Sequence, residues 1–196
     1  MDTETIFQLM TGIIFFTTLV VGGYFRRKAE RDGGQMRTSE GRGLVVVLRL
    51  LGLIVIAPLL GYIINPAWVA WAQMSVPLWL RASGAVAAAL MIPLIAWMFK
   101  SIGSNITNTQ STRQNHKLVT SGPYRWIRHP LYTFGFIFFC GLICLTALWW
   151  LGVTMIPPMI ILMLRTPIEE ARLIEAFGDE YRNYMKRTGR FFPKLA

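Results

Sequence analysis

Two stretches hold nearly all the side chains of this sequence that can do polar chemistry. One is His116–Tyr132, HKLVTSGPYRWIRHPLY; the other is Arg165–Pro193, RTPIEEARLIEAFGDEYRNYMKRTGRFFP. Both histidines of the chain, His116 and His129, fall in the first. They lack the short spacing of a zinc motif and no third ligand accompanies them, so no metal is expected. Cys140 and Cys144 lie in an apolar run, four residues apart on an expected helix. They read as small apolar fillers, not a disulfide framework.

Each polar residue also has a plain local reading. His129 precedes Pro130, which suits the first turn of a helix, with His129 satisfying free N–H groups at its start. Gly122-Pro123 marks a turn. Tyr124, Trp126 and Tyr132 suit a membrane–water interface. Arg165 and Glu169 are four apart and share a helix face. Arg165 ends an apolar run, as a snorkelling arginine does. Thr166-Pro167-Ile168-Glu169 fits a capping box with Pro167 at the first helical position.

The elements that must position these residues are membrane helices. Of the 196 residues, 54% are hydrophobic and only 15% charged, with a mean hydropathy of +0.45. Soluble domains carry about a quarter of their residues as charges. The formal charge of +10 raises the question of nucleic acid, but the basic residues flank apolar runs, so they belong to membrane-edge loops and no nucleic-acid partner is expected.

The runs predict an all-α integral membrane protein built as a single domain over 1–196. The expected spans are about 6–24, 44–64, 78–99, 131–145 and 147–164. The first is uncharged; the second and third carry Arg49 and Arg81 near their starts. Asp2 and Glu4 stand where a signal peptide needs a basic region, and no A-x-A site follows. The run 131–164 would extend about 50 Å as one helix, against an apolar core of about 30 Å. Charge separates one tilted helix from a tight hairpin. Segments 26–42 and 100–128 and the tail from Arg165 are rich in Lys and Arg, whereas 65–77 has neither. Basic segments stay in the cytoplasm, so an even number of crossings must link Arg128 to Arg165. A hairpin turning near Leu145–Ala147 satisfies this. The N-terminus is then outside and the C-terminus cytoplasmic, as are the stretches 100–130 and 165–196. Trp68, Trp71, Trp79, Trp149 and Trp150 form an outer aromatic belt. Pro157 and Pro158 imply a kink in the last span.

A site where spans meet the cytoplasm suits an enzyme that joins a water-soluble cofactor to a lipid substrate. The two stretches together resemble the isoprenylcysteine carboxyl methyltransferase family. The residues that carry the resemblance are His116 to Tyr132, with Gly122, Tyr124, Arg128, His129 and Pro130. The second set is Arg165, Glu169 and Glu170, then Phe177-Gly178-Asp179-Glu180-Tyr181 with Tyr184, Arg190 and Pro193. The order and spacing also match, over roughly the C-terminal half.

The resemblance implies a membrane methyltransferase that uses S-adenosyl-L-methionine. It implies cofactor contacts at His116, Lys117, Leu118, Val119, Tyr124, His129, Pro130, Leu131, Tyr132 and Glu169, and a substrate-carboxylate role for Arg165. A polar residue upstream of the first motif falls to Thr109 or Gln110. No strand–glycine loop–helix unit exists to bind the cofactor, so loops and helix ends must grip it. Expected partners are membrane lipids and a lipophilic methyl acceptor. Carboxyl O-methylation of an isoprenylcysteine or similar lipid-linked acid is the first reading. A phospholipid or small lipophilic N- or S-methyltransferase is the second. An NADPH-dependent sterol-type reductase and a non-catalytic membrane scaffold are the remaining alternatives, and cofactor binding separates the scaffold.

Overall fold

The computed structural model describes residues 2–32, 36–37, 42–103, 112–113 and 118–194. His116, Lys117, Thr109 and Gln110 lie outside them. Helix α1 (Thr3–Asp32) is followed by strand β1 (Met36–Arg37), α2 (Arg42–Ile64), a 3₁₀ segment (Pro66–Ala72) and α3 (Leu78–Ile102). Then come β2 (Thr112–Arg113), a 3₁₀ turn (Gly122–Arg125), α4 (Pro130–Thr146), α5 (Trp149–Phe177) and α6 (Asp179–Arg187). Among the described residues, all regular structure is helical except β1 and β2, an antiparallel pair with Met36 opposite Arg113.

Three helices are long and apolar enough to cross a membrane: Thr3–Arg31, Leu78–Ile102 and Trp149–Phe177. Arg49–Ile64 and Pro130–Thr146 are shorter apolar helices. Their outward faces are greasy: Ile13, Val20, Leu53, Val86 and Leu164 are all more than half exposed. In water such faces would be a heavy liability; in lipid they are ordinary.

The helices begin and end where local chemistry tells them to. Asp2 caps α1, its Oδ1 accepting the Thr5 N–H at 2.8 Å. The helix runs on past the expected end at residue 24, so Arg26, Arg27, Lys28 and Arg31 sit on a helical extension whose C-terminal dipole favours them. Asn65 caps the 3₁₀ segment through the Ala67 N–H at 3.0 Å. The apolar run from 131 breaks between Thr146 and Trp149, and Ala147 takes φ +56°, inside the expected turn.

The expectation of a helix start at Thr166 is corrected. Helix α5 is continuous through Pro157, Pro158 and Pro167. Thr166 is buried, and its hydroxyl donates back to the Leu162 carbonyl at 2.8 Å. A hydroxyl bonded to the preceding turn does not cap the next one.

The chain divides into two compact units. The first comprises Met1–Val20, Arg42–Ile92 and Gly135–Ile160. In it α3 and α4 touch backbone to backbone at a glycine pair. A Cβ on Gly84 would lie 2.6 Å from the Gly141 oxygen, and one on Gly141 would lie 2.8 Å from the Gly84 oxygen. Small residues at membrane helix crossings allow this approach. Arg81, expected near the start of the third span, is a four-way tie. It forks onto Glu4 at 2.7 and 3.0 Å, and donates to the Tyr62 hydroxyl at 2.9 Å and to the Leu145 carbonyl at 2.9 Å. The guanidinium lies 4.1 Å over the Phe7 ring. It so satisfies a helix-end carbonyl and neutralises a carboxylate in an apolar setting. Trp71 packs edge-on against Trp149 and Trp150. The second unit, Val21–Gly41, Pro93–Phe134 and Ile161–Ala196, contains the polar cluster described next.

Candidate active site

Three pieces of chain build the cluster: the loop leading into α4, the polar extension of α5 beyond Leu164, and the tail after α6. The loop and tail lie side by side in a short parallel bridge between Ile127 and Gly189. The Arg128 N–H donates to the Gly189 carbonyl at 2.9 Å and the His129 N–H to the Arg190 carbonyl at 3.1 Å. The Gly189 N–H returns a bond to the Trp126 carbonyl at 3.1 Å. The Thr133 hydroxyl donates to the Phe191 carbonyl at 2.6 Å, and the Tyr184 hydroxyl to the Tyr124 carbonyl at 2.6 Å. The tail is thus sewn to the start of α4 by its backbone.

Glu170 anchors the side chains. It is 3% exposed and accepts from Arg128 Nε at 2.8 Å and from Arg190 Nη2 at 2.6 Å. Arg128 also donates to the Thr188 carbonyl and, at 3.3 Å, to that of Met185. Burial alone would raise the Glu170 carboxyl. Hydrogen bonds from His129, Arg190 and Arg128 outweigh it and hold the group down at about 2.

His129 bridges the glutamate pair. Its Nε2 is 3.3 Å from Glu170 Oε1 and its Nδ1 is 3.8 Å from Glu169 Oε2. The Tyr132 ring stacks on it at 10° with centroids 5.4 Å apart, and the Tyr132 hydroxyl donates to Glu169 Oε2 at 3.1 Å. Glu169 keeps a third of its surface open. The arrangement therefore offers a partly open carboxylate beside an imidazole and an aromatic face, ready for a ligand that carries donors or positive charge.

Of the residues expected from sequence, His129, Tyr132 and Glu169 meet directly. Tyr124 is buried beside them. Burial first, then the nearby Tyr184 and Glu169, pushes its phenol well above the usual tyrosine value, so it stays protonated. Pro130 is buried as the first residue of α4, as expected. The His129 ring, however, turns to the glutamates and does not cap the helix start. Leu118 and Val119 are half-buried in irregular chain, Leu131 is exposed, and Arg165 is half-buried one turn before Glu169. Sequence reasoning missed the tasks of Arg128, Glu170 and Arg190. Their signal was present in the Arg128-His129 and Glu169-Glu170 doublets. Among the described residues no group of acidic, histidine and cysteine side chains could hold a metal ion.

Comparison with known proteins bears on this cluster. The model of the phospholipid methyltransferase family matches residues 79–180, a stretch that includes Tyr124, His129, Tyr132, Glu169 and Glu170. A cobalt-zinc-cadmium resistance protein, CzcN, of Cupriavidus metallidurans is 39% identical over 92 residues, covering 44% of this chain and 40% of that protein. The mouse protein-S-isoprenylcysteine O-methyltransferase is 29% identical over 136 residues, covering 63% of this chain and 44% of the mouse protein. The chain thus spans less than half the length of these relatives. A solved structure of the eukaryotic intramembrane Ras methyltransferase ICMT matches with a TM-score of 0.54 at 23% identity, over 79% of this chain and 54% of that one. The fold of this chain is therefore like that of ICMT.

Proposed function

The chain belongs to the phospholipid methyltransferase family, and on that premise we propose that it is an S-adenosylmethionine-dependent membrane methyltransferase of one domain. The observation that carries this is the meeting of His129, Tyr132 and Glu169 from two separate motifs in one partly open cluster. The residues fit such a cofactor. Glu169 and His129 offer acceptors to hydroxyls or an ammonium, Tyr132 and Tyr124 offer aromatic bodies, and Leu118 and Val119 offer backbone groups for an adenine edge. His116 and Lys117 join them through the motif. Bound there, S-adenosylmethionine supplies a methyl group on a positively charged sulfur. The protein's own share is to hold the acceptor in line and exclude water.

The acceptor in this reading is a lipid-linked carboxylate such as an isoprenylcysteine. Arg165, at the end of the apolar stretch of α5 and one turn from Glu169, binds it as a permanently charged fork. The mouse relative supports this reading. Membership of the phospholipid methyltransferase family favours the second reading, a phospholipid or small lipophilic acceptor methylated at nitrogen or sulfur. The break at Ala147 and the approach of Tyr132 to Glu169 support a hairpin of α4 and α5. With it the chain makes five crossings, N-terminus outside and C-terminus cytoplasmic.

Membranes containing the protein would be incubated with methyl-labelled cofactor and an isoprenylcysteine acid, and the lipid product then treated with base. An ester releases its label as volatile methanol; an N- or S-methyl product keeps it. Volatile label is expected, together with its loss in Arg165→Ala while cofactor binding persists. Base-stable label would overturn the carboxyl reading in favour of the second. Full activity in Arg165→Ala would reduce Arg165 to a membrane-edge anchor.

A further inference from the structure

The geometry points to Glu170 as a positioning residue that fixes the tautomer of His129, so that Nδ1 faces Glu169 as a bare acceptor. Glu170 is buried between two arginines, with Arg128 on Oε1 and Arg190 on Oε2. Guanidinium groups donate only and do not deprotonate, so their shared partner is a carboxylate, and a carboxylate accepts only. His129 Nε2 stands 3.3 Å from Glu170 Oε1. A nitrogen lone pair aimed at that oxygen would be repelled in a buried setting, so Nε2 carries the proton. A neutral imidazole has a single N–H, which leaves Nδ1 with its lone pair.

Nδ1 then lies 3.8 Å from Glu169 Oε2, too far for a hydrogen bond. Two acceptors side by side make a place that a donor completes. Ring stacking by Tyr132 holds the imidazole plane, and the Tyr132 hydroxyl already occupies one lone pair of Oε2. The surrounding groups are Arg128 from the loop, Arg190 and Phe191 from the tail, Glu169 and Glu170 from α5, and Tyr132 from α4. Glu170 thus acts through His129, turning two structural arginines into a demand for an N–H or O–H at the open side of the cluster. The identification of that donor with an ammonium or hydroxyl of the cofactor rests on the methyltransferase reading; the tautomer does not.

The full chain in detergent, labelled with ¹⁵N-histidine and free of cofactor, gives the test. Only two histidines are present, so His116→Gln assigns the His129 signals. In basic buffer, Nε2 should appear protonated and Nδ1 unprotonated. Glu170→Gln offers one oxygen to two arginines and a ring, and should let the Nδ1–H form appear. Glu169→Gln should leave the wild-type tautomer in place. A wild-type Nδ1–H form, a doubly protonated ring, an unchanged spectrum in Glu170→Gln or a switched one in Glu169→Gln would each overturn the inference. If Glu170→Gln fails to fold, the wild-type and Glu169→Gln spectra still decide it. Calorimetry with S-adenosylmethionine is read separately, and Glu170→Gln should bind roughly tenfold more weakly, the scale of one lost hydrogen bond. Absence of binding by the wild type would sink the methyltransferase reading and leave the tautomer standing. Normal binding with the wrong tautomer would sink this inference alone.

Discussion

Glu169 and Glu170 are adjacent in sequence and differ in most other respects. A helix turns about 100° per residue, so neighbours point to different surroundings. Glu170 points into a nest of arginines; Glu169 points to the open side, where the Tyr132 hydroxyl donates to it. Tyr132→Phe removes that donor without changing the ring. It should weaken cofactor binding by about 1 kcal/mol in calorimetry, with the thermal midpoint barely moved. Arg128→Ala should behave oppositely. It removes one of the two guanidinium partners of a buried carboxylate, and unfolding should become easier by about 1.5–3 kcal/mol, the scale of a charged hydrogen bond. Because folding depresses the Glu170 carboxyl, its contribution to stability is full above its ordinary value of 4.5 and fades as pH falls towards about 2. Thermal scans across that window should show this loss, and Glu170→Gln should show a shallower slope from a lower start. Sequence announced the carboxylates, the histidine and the tyrosine as a group. The resemblance singled out Glu169, but nothing in the sequence says that Glu170 is the buried one, since its burial depends on a tail that returns from about twenty residues downstream.

At the level of elements, apolar helices were easy to find and contacts between them were not. Apolar length marks a helix for the bilayer whatever its neighbours are. Gly84 and Gly141 look like any other glycines, and only the crossing of α3 over α4 gives them a purpose. Gly84→Ala should therefore destabilise by about 1–3 kcal/mol, since even a methyl group meets backbone there. Gly23→Ala, with nothing within 4 Å of an added Cβ, should be neutral or slightly stabilising through helix propensity. Thermal unfolding of the two variants in one detergent makes the comparison. Arg81 teaches the same lesson in charge. A lone arginine near a span end suggests snorkelling, and its actual partners, Glu4, Tyr62 and Leu145, come from three other helices. The misread helix start at Thr166 had the opposite cause. A local pattern with every feature of a cap was overridden because the apolar turn before it gave the hydroxyl another carbonyl.

For the whole molecule, the charge pattern makes a topological prediction. Accessibility labelling of single cysteines should find Gln73 outside, and Gln35, Gln114 and Ala196 in the cytoplasm; those three lie outside the described residues. An exposed Ala196 on the outer side would split the two motifs across the membrane and break the proposed hairpin.

The backbone bonds between Gly189–Arg190 and Trp126–His129 also bear on the order of biosynthesis. The first three apolar helices can enter the bilayer as they leave the ribosome, before residue 189 exists. Until the tail emerges, the Arg128 and His129 amides lack their carbonyl partners and Glu170 lacks Arg190. A nascent chain is therefore inserted well before it is competent. Stopping translation after Arg187 should leave a protein that fractionates with membranes yet does not retain the cofactor.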